Sequence, residues 1–147
     1  MIMRKNLRFA TYVAAICVTM SGRINAPAAD EKKPVEYDEN KLIAVLKSDS
    51  PSQDKAITCK HLAVCGTKAA VPALASLLSD EKLAAWARIG LEAIPDPAVN
   101  EALRDAMGRL HGKLLVGVIN SISRRGDAKA VGSLIEKTKD ADIEAVE

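Results

Sequence analysis

The feature that most constrains the fold of this chain is an internal repeat. Two sets of positions match at a distance of sixty residues, in this order: Gly66, Ala70, Val71, Leu74, Asp80 and Ala85 against Gly126, Ala130, Val131, Leu134, Asp140 and Ala145. A second match, at a spacing of 31, relates Lys82-Leu83 to Lys113-Leu114 and Asp96 to Asp127. The repeat unit is therefore about thirty residues long, a length that is typical of stacked structural repeats.

Within each unit, apolar residues recur at spacings of three and four, which predicts helices with one buried face. Aromatic residues make up only 3% of the chain, which disfavours strands. We therefore predict an all-α fold. Its buried stripes are Leu42, Val45 and Leu46; Ala56, Cys59, Leu62 and Ala63; Ala70, Leu74, Leu77 and Leu78; Leu83, Ala87, Gly90, Leu91 and Ile94; Val99, Leu103, Ala106 and Leu110; Leu115, Val118, Ile119 and Ile122; and Val131, Leu134 and Ile135.

Each helix pair carries two apolar stripes but covers only one of them internally, so a neighbouring pair must cover the other. This predicts an α-solenoid of stacked antiparallel helix pairs over residues 38–147, with about three repeats followed by an incomplete one. From Asp140 onward the chain matches the opening of a further first helix, and the second helix of that pair is missing. We expect this uncapped C-terminal end to self-associate.

The predicted helix ends carry capping residues. Ser50, Pro51 and Gln53 fit a capping box with proline at the first helical position. Further N-caps are expected at Asp38, Thr67 and Asp96. Three helices are expected to end at glycines, and Gly66 in particular is expected to take the left-handed conformation; the three glycines are Gly66, Gly112 and Gly126.

The first 28 residues have the pattern of a secretory signal peptide. A basic start precedes a run of twelve largely apolar residues at 9–20, and Ala26-Pro27-Ala28 supplies small residues for cleavage after Ala28. The run is too short to span a membrane, which takes about 20 apolar residues. A short uncleaved signal anchor is the alternative. We predict an exported, periplasmic or secreted protein without stable membrane insertion after cleavage, in which residues 29–37 form a disordered charged tether.

Removing the leader changes the sign of the net charge. The whole chain has 21 basic and 19 acidic residues, a net charge of +2. Residues 1–28 contain four basic residues and no acidic ones, so the mature chain has 17 basic and 19 acidic residues, a net charge of −2. An overall basic surface for nucleic acid is therefore absent, and we predict no nucleic-acid partner.

The sequence of residues 66–78, GTKAAVPALASLL, resembles the second helix of a HEAT repeat, especially the thirty-residue HEAT-like repeats first known from phycobilisome lyases. Residues 81–94 resemble the first helix that follows. The pattern departs in the middle unit, where Asn100 stands at the position of Pro72. The resemblance implies a secreted bacterial HEAT-repeat protein that is not an enzyme and that acts as a non-catalytic scaffold for other proteins. The alternative is an accessory or lyase-like protein that handles a bound cofactor or tetrapyrrole, although an export leader is not expected there.

Several polar clusters contain residue types that can form chemical sites. Cys59-Lys60-His61 with Cys65 could be a metal site or a disulfide, but residues six apart on a helix are separated by about 9 Å, beyond disulfide reach. Free, partly buried thiols are the simpler interpretation. The basic residues of 109–113 and 124–125 could bind an anion or could complement helix dipoles. Trp86 could anchor a partner or pack at the edge of the core. We predict no catalytic residue, metal or cofactor.

In solenoids of this type, the second helices line the concave surface. The resemblance therefore implies that partner proteins bind there. By the repeat alignment, that surface includes Pro72, Ser76, Glu101, Arg104, Ser133 and Lys137.

Overall fold

The computed structural model describes residues 36–137, which are all-α. The signal peptide, residues 29–35 of the tether and the incomplete last repeat lie outside the described residues. The helices are α1 (Glu39–Lys47), α2 (Ser52–Cys65), α3 (Val71–Ser76), α4 (Ala84–Ala93), α5 (Pro97–Arg109), α6 (Gly112–Arg125) and α7 (Val131–Lys137). Short 3-10 turns extend α3 and α7 at Lys68–Ala70, Leu77–Ser79 and Ala128–Ala130. No helix within residues 36–137 is long and apolar enough to cross a membrane.

Three of the predicted N-caps are confirmed. The Asp38 carboxylate accepts hydrogen bonds from the backbone N–H groups of Asn40 and Lys41 at the start of α1. The Thr67 hydroxyl accepts from Ala69 N, and the Asp96 carboxylate accepts from Ala98 N at 2.8 Å. Each cap satisfies a backbone donor that has no partner within the first turn of its helix.

The predicted capping box at Ser50 is wrong. Helix α2 begins at Ser52, its N-cap is Pro51, and no side chain caps it. The hydroxyl of Ser50 lies 2.7 Å from that of Ser48, and the backbone N–H of Ser50 also donates to Ser48 Oγ. Ser50 therefore belongs to the turn that ends α1.

The glycines at helix ends act in three different ways. Gly126 ends α6 in the left-handed conformation, with φ 64°. Gly66 ends α2 as predicted but with extended backbone, φ −68° and ψ 141°, so its expected left-handed conformation is wrong. Gly112 does not end a helix: α5 ends at Arg109, and Gly112, with φ 53°, is the first residue of α6.

The helices contact one another in two sets. Helix α4 contacts both α2 and α6, and α3 contacts both α1 and α5. The consecutive helices α1 and α2, α3 and α4, and α5 and α6 also pack against each other. The described part of the chain thus has an inner core between a first layer of α2, α4 and α6 and a second layer of α1, α3 and α5.

The core confirms most of the predicted stripes. The stripes of α3, α4 and α5 are buried throughout, and α6 buries all but Ile119, which is partly buried. In α2, Cys59 and Leu62 are buried, whereas Ala56 and Ala63 are partly exposed. The largest side chains with almost no exposure are Leu62, Leu74, Leu78, Leu91, Ile94, Leu103, Leu115 and Ile122.

The stripe predicted for α7 is largely uncovered. Val131 and Ile135 are 52% and 56% exposed, and Leu134 is only partly buried against the core. The burial seen from α3 to α6 therefore does not extend to the described end of α7.

Candidate functional site

A pocket of about 210 Å³ lies where the first turns of α5 meet the turn between α6 and α7. Asp96 and Pro97 start α5 at this point, and Gly126 turns the chain sharply after α6. Charged side chains from both segments line the pocket, together with apolar atoms. Its lining residues are Pro97, Asn100, Glu101, Arg104, Gly126, Asp127, Ala128 and Lys129.

An ion pair between Arg104 and Asp127 forms one wall of the pocket. The side chain of Arg104 is 24% exposed and that of Asp127 only 5%. Asp127 also accepts a hydrogen bond from the backbone N–H of Lys129 at 3.2 Å. The pair therefore fixes α5 to the turn before α7. One nitrogen of the Arg104 guanidinium is engaged in this internal contact.

The pocket brings together two of the six residues predicted for the binding surface. Glu101 is exposed and Arg104 half-buried within it. On α3, Pro72 and Ser76 are exposed, and α3 packs against α5. The remaining two, Ser133 and Lys137, are on α7, exposed and partly buried respectively, and neither lines the pocket.

Sequence reasoning missed Asn100, Asp127 and Lys129 as pocket residues. A signal existed for Asp127, because it repeats Asp96 at a spacing of 31 and both residues are N-caps. In the sequence, Asn100 is distinguished only as the residue that replaces proline at the repeat position of Pro72. Its amide oxygen accepts a hydrogen bond from Arg125 Nε at 2.6 Å, a contact between different helices that no local pattern reveals.

The two arginines at the end of α6 have different structural roles. Arg125 donates to the carbonyls of Leu91, Glu92 and Ile94, at 3.3, 3.2 and 2.8 Å. It also donates to the carbonyl of Asp96 at 3.1 Å. Arg125 thus satisfies the C-terminus of α4, a neighbouring helix, whereas the sequence indicated a complement to the dipole of its own helix.

A polar network joins α4 to α6. Arg88 donates to the carbonyl of Gly117 at 3.0 Å, and the buried Ser121 hydroxyl donates to the Glu92 carboxylate at 2.6 Å. Arg124 pairs with the other carboxylate oxygen of Glu92 at 2.9 Å. These groups satisfy one another, so the network is structural and offers no vacant ligand position.

The residues of the Cys59–Cys65 segment of α2 contact different partners and do not form one site. Cys59 is buried, and Cys65 is partly buried with its thiol 3.4 Å from the His61 carbonyl. The ring of His61 stacks on Tyr37 at 4.4 Å between centroids, so the last tether residue lies against α2. Lys60 Nζ lies 4.4 Å from the centre of the Trp86 ring. Among residues 36–137, no group of three or more histidine, cysteine or acidic side chains is arranged to hold a metal ion.

The two thiols are expected to differ in reactivity. Burial raises the pKa of Cys59 to about 11 from an ordinary 9.0, and burial followed by the charge of Glu39 raises the pKa of Cys65. Because the thiolate is the nucleophile, Cys59 should react with Ellman's reagent at pH 8 only as the protein unfolds. Cys65, which is partly exposed, should react first. Peptide mapping of the labelled protein identifies the site, and equal labelling of both cysteines would contradict the burial of Cys59.

The basic residues at the junction of α5 and α6 do not form a closed anion site. Arg109 Nε donates to the Asp105 carbonyl of its own helix at 3.3 Å, which is the expected complement to a helix C-terminus. His111 and Lys113 are exposed on either side of Gly112.

Comparison with known proteins identifies no relative. No family model, curated protein or solved structure matches the chain.

Proposed function

We propose that this protein is an exported, non-catalytic scaffold built as an α-solenoid of HEAT-like repeats, and that it binds other proteins. The repeat of about thirty residues in the sequence supports the solenoid. The two helix layers are compatible with it, because α2, α4 and α6 contact in series, as do α1, α3 and α5. The apolar leader followed by small residues supports export.

The observation that carries the binding proposal is the exposed surface shared by α3 and α5. These helices pack side by side and expose Pro72, Ser76 and Glu101. The pocket beside them is lined by the exposed residues Glu101 and Lys129, among others. Opposite charges on one surface can select a partner segment that carries complementary charges.

The surface should be tested at Glu101 and not at Arg104. Because Arg104 pairs with the nearly buried Asp127, reversing its charge would place a second carboxylate beside that of Asp127 and would destabilise the fold. We expect a photo-crosslinking residue at Glu101 to capture a protein from the exported fraction, and Glu101→Lys to weaken that complex about tenfold or more. Lys47→Glu, at the exposed end of α1, is the matched control.

Two outcomes would count against this surface. Capture of the same proteins from Lys47 as from Glu101 would show that the surface is not selective. Equal weakening of a captured complex by Glu101→Lys and Lys47→Glu would show that the effect is not specific to the position of Glu101.

A further inference from the structure

One face of α7 presents aliphatic side chains to the surroundings. Val131 and Ile135 are 52% and 56% exposed, and because they are four residues apart they lie on the same face of the helix. Gly132 is also exposed, and a Cβ added there would meet no atom within 4 Å in the part of the chain that the structure describes. The residues from Val131 to Ile135 include no charged side chain. This face of α7 is therefore apolar and accessible.

The exposed apolar face is specific to α7 among the helices of its layer. Sixty residues earlier, on α3, the position of Val131 is held by Val71, which is only 4% exposed. At the spacing of 31, on α5, Val131 and Ile135 correspond to polar residues. These are Asn100 and Arg104, which bond to the end of α6 and to the turn after it. The same repeat positions are thus covered in α3 and polar in α5.

The chain's own last residues would cover this face poorly. In the sixty-residue match, residues 140–147 correspond to the start of α4 and the residue before it, which packs against α3. Two positions there are Ala84 and Ala87, which are 6% and 0% exposed. The corresponding residues are Glu144 and Glu147. A helix of this segment, packed on α7 as α4 packs on α3, would bury two carboxylates, which is costly. Another chain is therefore the better cover.

The charges of the α7 segment complement those of a second copy. Lys129, just before α7, is exposed, and so is Glu136 near its end, whereas the adjacent Lys137 is partly buried. Two antiparallel α7 helices would bring Lys129 of each copy to the level of Glu136 of the other. Two parallel helices would instead bring like charges to the same level. Opposite charges thus favour the antiparallel arrangement.

We infer that the apolar face of α7 docks the α7 of a second copy of this chain, antiparallel and about a two-fold axis at the level of Ser133. Such an interface uses the same patch twice, so Val131 of each copy packs against Ile135 of the other. Gly132 beside them leaves room for the partner helix to approach closely. The inference does not rest on the partner surface proposed at Glu101.

The size of the contact sets the expected affinity. A helix of seven residues is about 10 Å long, so the contact is far smaller than the about 800 Å² per partner of a standard interface. We therefore expect a reversible dimer with a Kd of about 0.1 to 1 mM. Sedimentation equilibrium of the full chain, from about 10 μM to 1 mM, should show the average mass rising from that of the monomer toward that of the dimer.

Substitutions on the apolar face locate the contact. Val131→Lys combined with Ile135→Lys should raise the dimer Kd about tenfold or more. Val64→Lys is the control, because it makes the same kind of change at an aliphatic residue of α2 that is 79% exposed, and it should leave the Kd unchanged. Since all three side chains are exposed, far-UV circular dichroism and Tm should remain close to those of the parent protein.

Charge exchange tests the antiparallel arrangement. Lys129→Glu places two carboxylates at the same level of the pair, and Glu136→Lys places two ammonium groups there. Each should raise the Kd about threefold or more, and the double variant should restore it. The double variant has the net charge of the parent protein, so restoration cannot come from net charge.

Four results would overturn the inference. The first is a mass that stays monomeric up to about 1 mM. If Val131→Lys with Ile135→Lys also lowers Tm in that case, the chain's own residues cover the face; if Tm is unchanged, a different partner must do so. The second is association that persists unchanged in that double variant, and the third is an equal loss in Val64→Lys. The fourth is a charge-exchange variant as weak as the single variants. None of these results bears on Glu101.

Discussion

Replacing Arg125 with alanine is expected to lower the free energy of unfolding by about 2 to 4 kcal/mol, through the loss of charge-assisted hydrogen bonds. The guanidinium satisfies the carbonyls of Leu91, Glu92 and Ile94 where α4 ends, together with the Asp96 carbonyl where α5 begins. Without it, the carbonyls of Leu91 and Asp96 keep only the backbone hydrogen bonds from Ile94 N and Val99 N, those of Glu92 and Ile94 lose the Arg125 donor, and α6 loses its tie to the α4–α5 turn. Urea denaturation followed by circular dichroism measures the change.

The neighbouring Arg124 provides a matched control for Arg125. Its side chain is 76% exposed and forms one ion pair with Glu92. Glu92 is 14% exposed but keeps its hydrogen bond from the Ser121 hydroxyl when Arg124 is removed. Because an exposed arginine contributes about 0 to 1 kcal/mol to such a pair, Arg124→Ala should cost much less than Arg125→Ala although the charge change is the same. Arg125→Lys keeps the charge but loses the planar fork that reaches several acceptors at once. We expect that variant to be destabilised almost as strongly as Arg125→Ala. Equal stability of all three variants would contradict a stabilising role for the hydrogen bonds from Arg125 to the α4–α5 turn.

The helices and the buried stripes could be predicted from the sequence because they depend on local spacing. Leu74, Leu91 and Leu103 each occupy predicted core positions and have no exposure. Asp38 and Asp96 could likewise be predicted as caps, because a cap bonds to backbone groups two or three residues ahead. Repeat spacing and capping are therefore sufficient for the order and type of the helices.

Contacts between helices could not be predicted in this way. From the sequence, Arg125 is expected to be a cation that complements the C-terminus of its own helix, α6. Only the position of α4 shows that its guanidinium caps the C-terminus of α4 instead. Arg104 is predicted from the sequence to line a binding surface, yet the turn after Gly126 brings Asp127 against it. The pocket depends on the same long-range meeting of α5 with this turn. Two of its residues were found through the repeat alignment, and the others required the fold.

Ser50 and Gly66 show that even local signals can be ambiguous. The residues around Ser50 fit a capping box, but the Ser50 hydroxyl forms a hydrogen bond with the Ser48 hydroxyl and does not cap α2. A glycine after a helix usually indicates the left-handed conformation, which is correct for Gly126 and wrong for Gly66. At Gly66 the requirement for glycine comes from close contact: an added Cβ would lie 2.3 Å from the Leu62 carbonyl oxygen and 3.1 Å from Ile94 Cδ1.

Gly66→Ala is therefore expected to destabilise the protein by about 2 to 3 kcal/mol, even though alanine tolerates the observed φ of −68°. A contact of 2.3 Å with a backbone oxygen cannot be relieved by rotating a side chain. The last turn of α2 must open, and the hydrogen bond from Gly66 N to the Leu62 carbonyl, 2.8 Å long, must lengthen or break. The loss of stability is measured as a lower urea midpoint at an unchanged m-value.

Gly108 is the control that separates close contact from a general effect of glycine. It lies within α5, and a Cβ added there would meet no atom within 4 Å. Alanine has the higher helix propensity and restricts the unfolded chain, so Gly108→Ala should stabilise the protein by about 0.5 to 1 kcal/mol. The two identical substitutions thus have opposite expected signs. If Gly66→Ala were neutral or stabilising like Gly108→Ala, the end of α2 could not be as tightly packed against the Leu62 carbonyl as the structure shows.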